Sequence, residues 1–184
     1  LSVFDAAGLA PVAGGAADVL RREIYLADRD AVTLVSLESG ERVAVRPSTK
    51  ASLGDDTVIA AYLMDVTYLS DWTTMGAGLL GAIRTRAQGA RIWPNGGSCV
   101  YPWIARGIVD AYVMFDEPRS EVDPGLAFAA AAGFPVFSVS GDGQLTPYRF
   151  EPGRQAERVP FLVAACTEAL AGDIVASIGG ARDR

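Results

Sequence analysis

The chain has 184 residues, half of them hydrophobic, with 16 basic and 22 acidic side chains and a net charge of −6. This length and composition fit one domain, or a large part of one, with a sizeable core, and they exclude a disordered chain. The acidic balance, with Lys50 as the only lysine, excludes a nucleic-acid groove. No apolar run is long enough to cross a bilayer, and the opening residues carry no targeting pattern. Histidine is absent, which excludes Ser-His-Asp and Cys-His nucleophile systems and imidazole metal sites. Carboxylates, hydroxyls, arginines and backbone dipoles remain, an oxygen-rich set that suits hard cations. Cys99 and Cys166 fall in apolar segments without ligand-like spacing; they are expected to be buried, unbridged thiols of a reducing, cytoplasmic compartment.

In chain order, Leu1 to Phe4 is apolar, Ala6-Ala7-Gly8 reads as a turn, and Pro11 to Ala17 as an extended run of small residues. Glu23 to Ala27 is a short strand. Thr33 to Leu37 and Arg42 to Val45 alternate around Glu38-Ser39-Gly40-Glu41, a hairpin signal. Residues 1–46 thus predict an antiparallel meander. A chain that opens inside such a sheet, without an initiator methionine, is expected to be completed by an upstream segment or another chain.

Thr57 to Leu63 is a continuous apolar run, the pattern of a strand buried on both faces. Ala77 to Gln88 places Leu79, Leu80, Ile83 and Ala87 at helical spacing. Its Arg84 and Arg86 form either a solvated face or a phosphate contact. A strand over Ala90 to Trp93 leads through Pro94-Asn95-Gly96-Gly97-Ser98 into a helix from Cys99 to Arg106. Asp110 to Phe115 is a buried strand. Phe134 to Val139 and Val159 to Ala165 are further strands, Gly141-Asp142-Gly143 is a turn, Glu151 to Arg154 a loop, and Glu168 to Ser177 a closing amphipathic helix. Residues 57–178 therefore read as alternating, layered α/β structure.

The stretch Ser120-Glu121-Val122-Asp123-Pro124-Gly125 links the strand at 110–115 to an alanine-rich helix. Ala127 to Ala132 holds one bulky residue, Phe128, so this helix can approach a sheet closely, and Gly133 is placed to end it. Two acids at a strand-to-helix turn sit where backbone N–H groups favour negative charge. Asp123 followed by Pro124 also matches an ordinary N-cap and N1 pair.

Taken together, these motifs have a recognisable order: Gly97-Ser98, a helix ending at Gly107, then Asp110-Ala111-Tyr112. An acid opening a small-residue helix that ends Ala132-Gly133 follows, then a strand and Asp142-Gly143. The order resembles the C-terminal part of the inositol monophosphatase-like phosphatases, the superfamily that includes fructose-1,6-bisphosphatases. The resemblance implies a sugar-phosphatase α-β-α-β-α sandwich and Mg²⁺-dependent hydrolysis of a small phosphorylated sugar or polyol. By the same resemblance Asp123 matches the family's C-terminal metal carboxylate and is expected to face a cleft beside Ser98, while Gly97 and Ser98 match the pair that contacts substrate.

The departures from the family pattern are specific. Its upstream Glu-Glu pair and Asp-Pro-x-Asp-Gly-Thr motif occur nowhere in these 184 residues. Val122 stands where the family has Trp before the metal Asp, and the substrate glutamate after Asp-Ala-Tyr is replaced near Met114, leaving Glu121 or Asp116 as its substitute. One carboxylate does not hold Mg²⁺ tightly. The chain is expected to need a homo-oligomeric or partner chain supplying the missing half. The competing expectation is a catalytically silent relative acting as a binding or assembly subunit.

Overall fold

A computed structural model describes residues 1–61, 79–81, 83–85, 87–94 and 96–179. The N-terminal meander forms a five-stranded antiparallel sheet in the order β1 (Ser2–Phe4), β2 (Pro11–Asp18), β3 (Glu23–Ala27), β4 (Val32–Ser36), β5 (Arg42–Val45). Its alternation sorts the side chains. Tyr25, Ala27 and Val32 are buried, while Leu26 between the first two is exposed. β4 starts one residue before the expected Thr33, because Val32 pairs with both Ala27 and Val45. Gly40, at φ 72°, closes the β4–β5 hairpin in the left-handed conformation that glycine adopts without strain.

The second sheet has six strands in the order β10-β9-β11-β8-β6-β7. These are β6 (Val58–Ala61), β7 (Arg91–Trp93), β8 (Ala111–Pro118), β9 (Val136–Val139), β10 (Leu145–Pro147) and β11 (Arg158–Ala165). β6 runs parallel to β7 and β8, and the remaining pairs are antiparallel. The central strands β8 and β11 are almost wholly buried, in keeping with their unbroken apolar runs. β8 continues past the expected Phe115 because Glu117 and Pro118 pair with Val159 and Arg158. β10, which carries no strand pattern of its own, exists through pairing with β9 across the 141–143 turn. Residues 62 and 63 of the expected strand, and 77, 78, 82 and 86 of the expected helix, lie outside the described residues. Positions 79–81 and 83–85 are helical.

Helix α1 (Val100–Ala105) follows the turn at 96–99. α2 (Arg119–Val122) and a 3₁₀ turn (Asp123–Gly125) lead into α3 (Leu126–Ala132), and α4 (Glu168–Gly179) closes the chain. α1 and α3 pack on each other, α1 against β8 and α3 against β1 to β4, so these two helices join the sheets. The close approach expected of the small-residue helix is present. A Cβ added to Gly14 of β2 would lie 2.7 Å from the Ala127 methyl. Lys50 and Ser48 both donate to the buried Asp110 carboxylate, at 2.8 and 2.5 Å, and pin the segment between the sheets to the start of β8. The cysteines are unbridged. Cys166 is buried, but Cys99, expected inside, is exposed, because α1 turns its other face to the core.

Candidate functional site

The loop from β7 to α1 reaches Gly97 at φ 82°, a conformation open to glycine. The Gly97 N–H donates to the Tyr112 hydroxyl. That hydroxyl is buried in β8, and burial pushes its pKa far above the phenol range. A backbone amide and a β8 side chain thus fix the loop. Glu121 also lies against Gly97: a Cβ there would stand 2.9 Å from Glu121 Oε2. Gly97 therefore serves two purposes, a left-handed turn and room for a carboxylate. Ser98 is half-buried beside it and precedes α1, and its carbonyl accepts from the Tyr101 amide at 3.4 Å.

Helical conformation begins at Arg119, four residues before Asp123. Asp123, with φ −54° and ψ −39°, is the C-cap of α2 and the first residue of the 3₁₀ turn, and it is the N-cap of neither, so the ordinary N-cap reading does not hold. Its side chain turns inward. Asp123 is 4% exposed, and Oδ1 accepts from the Tyr148 hydroxyl at 2.8 Å. Oδ2 is buried without a hydrogen-bond partner. Burial raises the Asp123 pKa, against the lowering effects of the Tyr148 hydrogen bond and the Arg119 charge. Burial, and then Asp123, drive the Tyr148 pKa up in turn.

Arg119 completes this buried end. Its guanidinium lies 4.7 Å from the Tyr148 ring centroid, reaches Glu151 at 3.3 Å and donates to the Arg149 carbonyl. The backbone N–H groups of Arg119 and Ser120 donate to Glu157 and Gln155. Gly125 is needed for packing: the ring of the fully buried Tyr101 lies 2.3 Å from where a Cβ would be. The Tyr101 hydroxyl and Arg119 Nε, like Asp123 Oδ2, are buried with no partner.

The structure therefore brings Gly97, Ser98 and Glu121 to one loop mouth and sends Asp123 to a separate, buried network. Asp116 is on neither: it pairs with Arg158 at 2.9 Å. Tyr112 was visible in the Asp-Ala-Tyr triplet, although nothing in the triplet indicates that its hydroxyl holds Gly97. Tyr148 and Arg119 carry no sequence signal, because their partners are brought together only by folding. Among the described residues, no group of three or more His, Cys, Asp or Glu is placed to hold a metal. No helix among them is long and apolar enough to cross a membrane.

This architecture is the fold of the inositol monophosphatases. The chain is similar to Mycobacterium tuberculosis SuhB at 21% identity and TM-score 0.64, over 95% of this chain and 61% of that one. It is also similar to an inositol monophosphatase from Zymomonas mobilis (15%, TM-score 0.62, 92% and 58%) and to a Ca-bound inositol monophosphatase family protein from Staphylococcus aureus (12%, TM-score 0.60, 91% and 54%). The chain thus spans about 60% of the first two structures' length. No family model and no curated protein matches it. At these identities the likeness defines the fold.

Proposed function

We propose that this chain is the substrate-loop portion of a phosphate-ester hydrolase of the inositol monophosphatase type, acting on a small phosphorylated sugar or polyol. The observation that carries the reading is Glu121 Oε2 packed against Gly97 at the mouth of the β7–α1 loop. In this reading Gly97 and Ser98 border the substrate. Glu121 is the carboxylate turned toward the reacting end. Asp123, buried and held by Tyr148, supports the metal assignment less well than its exposed neighbour.

The residues present do not by themselves fit Mg²⁺. An all-oxygen site takes about six ligands, whereas one exposed carboxylate stands at the loop and no acidic group of three is found among the described residues. The remaining ligands and the base for a water nucleophile are assigned to polypeptide beyond these 184 residues, carrying the acidic pair and the Asp-Pro-x-Asp-Gly-Thr motif. What this chain contributes is position. Tyr112 fixes the loop, and the Arg119–Tyr148–Asp123 network fixes the turn from which Glu121 projects.

The test is phosphate release from a panel of sugar and polyol phosphates with Mg²⁺. The chain alone is expected to give no appreciable turnover, and addition of a segment carrying the two missing motifs is expected to restore it. Restoration that is lost in Glu121→Gln supports the reading. Binding of the segment without turnover favours the silent-subunit alternative. Robust turnover by the chain alone overturns the assignment of the missing ligands.

A further inference from the structure

Beside the loop mouth lies a second concavity of about 200 Å³, walled by Ala16, Val19, Leu20, Tyr25, Cys99 and Trp103. Its position links it to the site above. Cys99, on its wall, follows by two residues Gly97, against which the Glu121 carboxylate lies, and Asp18 lines the same pocket. The polar groups around the pocket are already satisfied. Asp18 accepts from the Arg21 amide and guanidinium, both at 3.1 Å, and also interacts with the Trp103 side chain. The Tyr25 hydroxyl is engaged by Arg106 and Glu23, and the Cys99 thiol points to the Gly96 carbonyl at 3.3 Å.

The outer wall is preformed. Trp103 stacks on Trp93 with centroids 4.7 Å apart and 7° between planes, and the Arg21 guanidinium covers both rings at 5.6 and 5.9 Å. The rim is apolar and uncovered: Val19 and Leu20, at the tip between β2 and β3, are 81% and 97% exposed. A space lined by apolar walls whose polar groups are spoken for rewards apolar surface and offers little to a hydroxylated ligand. Its size suits a single ring, since an apolar cavity of about 150 Å³ admits benzene.

We infer that this pocket is a subsite for an aromatic or compact apolar group of a phosphate ester that borders the Gly97–Ser98 loop, an assignment that rests on the phosphate-ester reading above. It narrows the substrate class from phosphorylated polyols in general to esters that carry such a group.

Alkylation of Cys99 by iodoacetamide under native conditions reports occupancy, with the buried Cys166 as internal control. Phenyl phosphate, glycerol phosphate, inorganic phosphate and phenol are the probes. Phenyl phosphate is expected to protect Cys99 at a concentration about tenfold lower than glycerol phosphate, the factor expected from burying one face of a ring. Val19→Ser with Leu20→Ser, changes at exposed positions that leave the fold intact, should erase most of that difference. Phenol alone should also protect, more weakly. Equal protection by phenyl and glycerol phosphate, with none by phenol, overturns the subsite whatever phosphate does. Protection by phenol that a phosphate group does not improve upholds the ring pocket and counts against the phosphate-ester reading instead.

Discussion

Glu121 and Asp123 stand two residues apart on one turn, yet their surroundings give them different capabilities. Glu121 is exposed and faces a glycine whose missing side chain makes room for it. Asp123 is buried, bonded to Tyr148, and left with one unpartnered oxygen. A carboxylate is available for ligands where water can reach it. Where water is excluded, its charge is disfavoured, and the protein must supply hydrogen bonds or a cation to keep it. Arg119 and Tyr148 offset only part of that cost for Asp123, and they bind the 147–157 segment to the base of the Glu121 turn. The exposed acid is open to a ligand, and the buried one ties its turn to Tyr148.

The sharpest way to break this contrast is truncation at each position. Asp123→Ala should lower unfolding free energy by about 1–3 kcal/mol, because it leaves the buried Tyr148 hydroxyl without its acceptor and removes the carboxylate near the Arg119 charge. Glu121→Ala should change it by no more than about 0.5 kcal/mol, as for other exposed positions. Urea denaturation of the two variants decides the matter, and similar losses would erase the distinction. Gly97→Ala comes next. The left-handed conformation should cost about 1 kcal/mol, and the new methyl should displace the Glu121 carboxylate. Phosphate-ester binding should therefore fall by more than the modest stability loss would suggest, which titration of a folded Gly97→Ala sample would show.

A smaller effect should appear in pH dependence. Burial raises the Asp123 pKa above the ordinary carboxylate value of 3.8. Between that value and the raised one, the native state keeps a proton that the unfolded chain has released, so this group's contribution to stability falls as pH rises. Relative to Asp123→Asn, the protein should gain stability as pH drops through that window, and Tyr148→Phe should steepen the gain by removing a hydrogen bond to the ionised form. Loss of stability on acidification, relative to the Asn variant, would mean that the carboxylate is held ionised. The smallest expected signal is a thiol count. One group, Cys99, should react with a thiol reagent in the native protein, and two after denaturation.

Much of the fold could be read along the chain, because strand and helix periodicities are local. β3 and β5 run between the residues their patterns indicated, and the alanine helix ends at the expected Gly133, at φ 76°. The left-handed glycines, the close-packing helix and the placement of the two acids on a strand-to-helix turn were legible for the same reason: each depends on residues within a few positions of one another. β10 was not legible. Three residues, one of them proline, form a strand only because β9 offers an edge to pair with.

Tertiary structure alone decided how the two acids divide their roles. Spacing places Glu121 and Asp123 on one turn, but which of them faces water depends on Gly97, 24 positions earlier, and on Tyr148, 25 positions later. A carboxylate's chemistry follows from its solvation and its partners. Here those partners come from a loop of the second sheet's edge and from a segment beyond β10, so sequence could nominate both acids and only the folded chain could separate them.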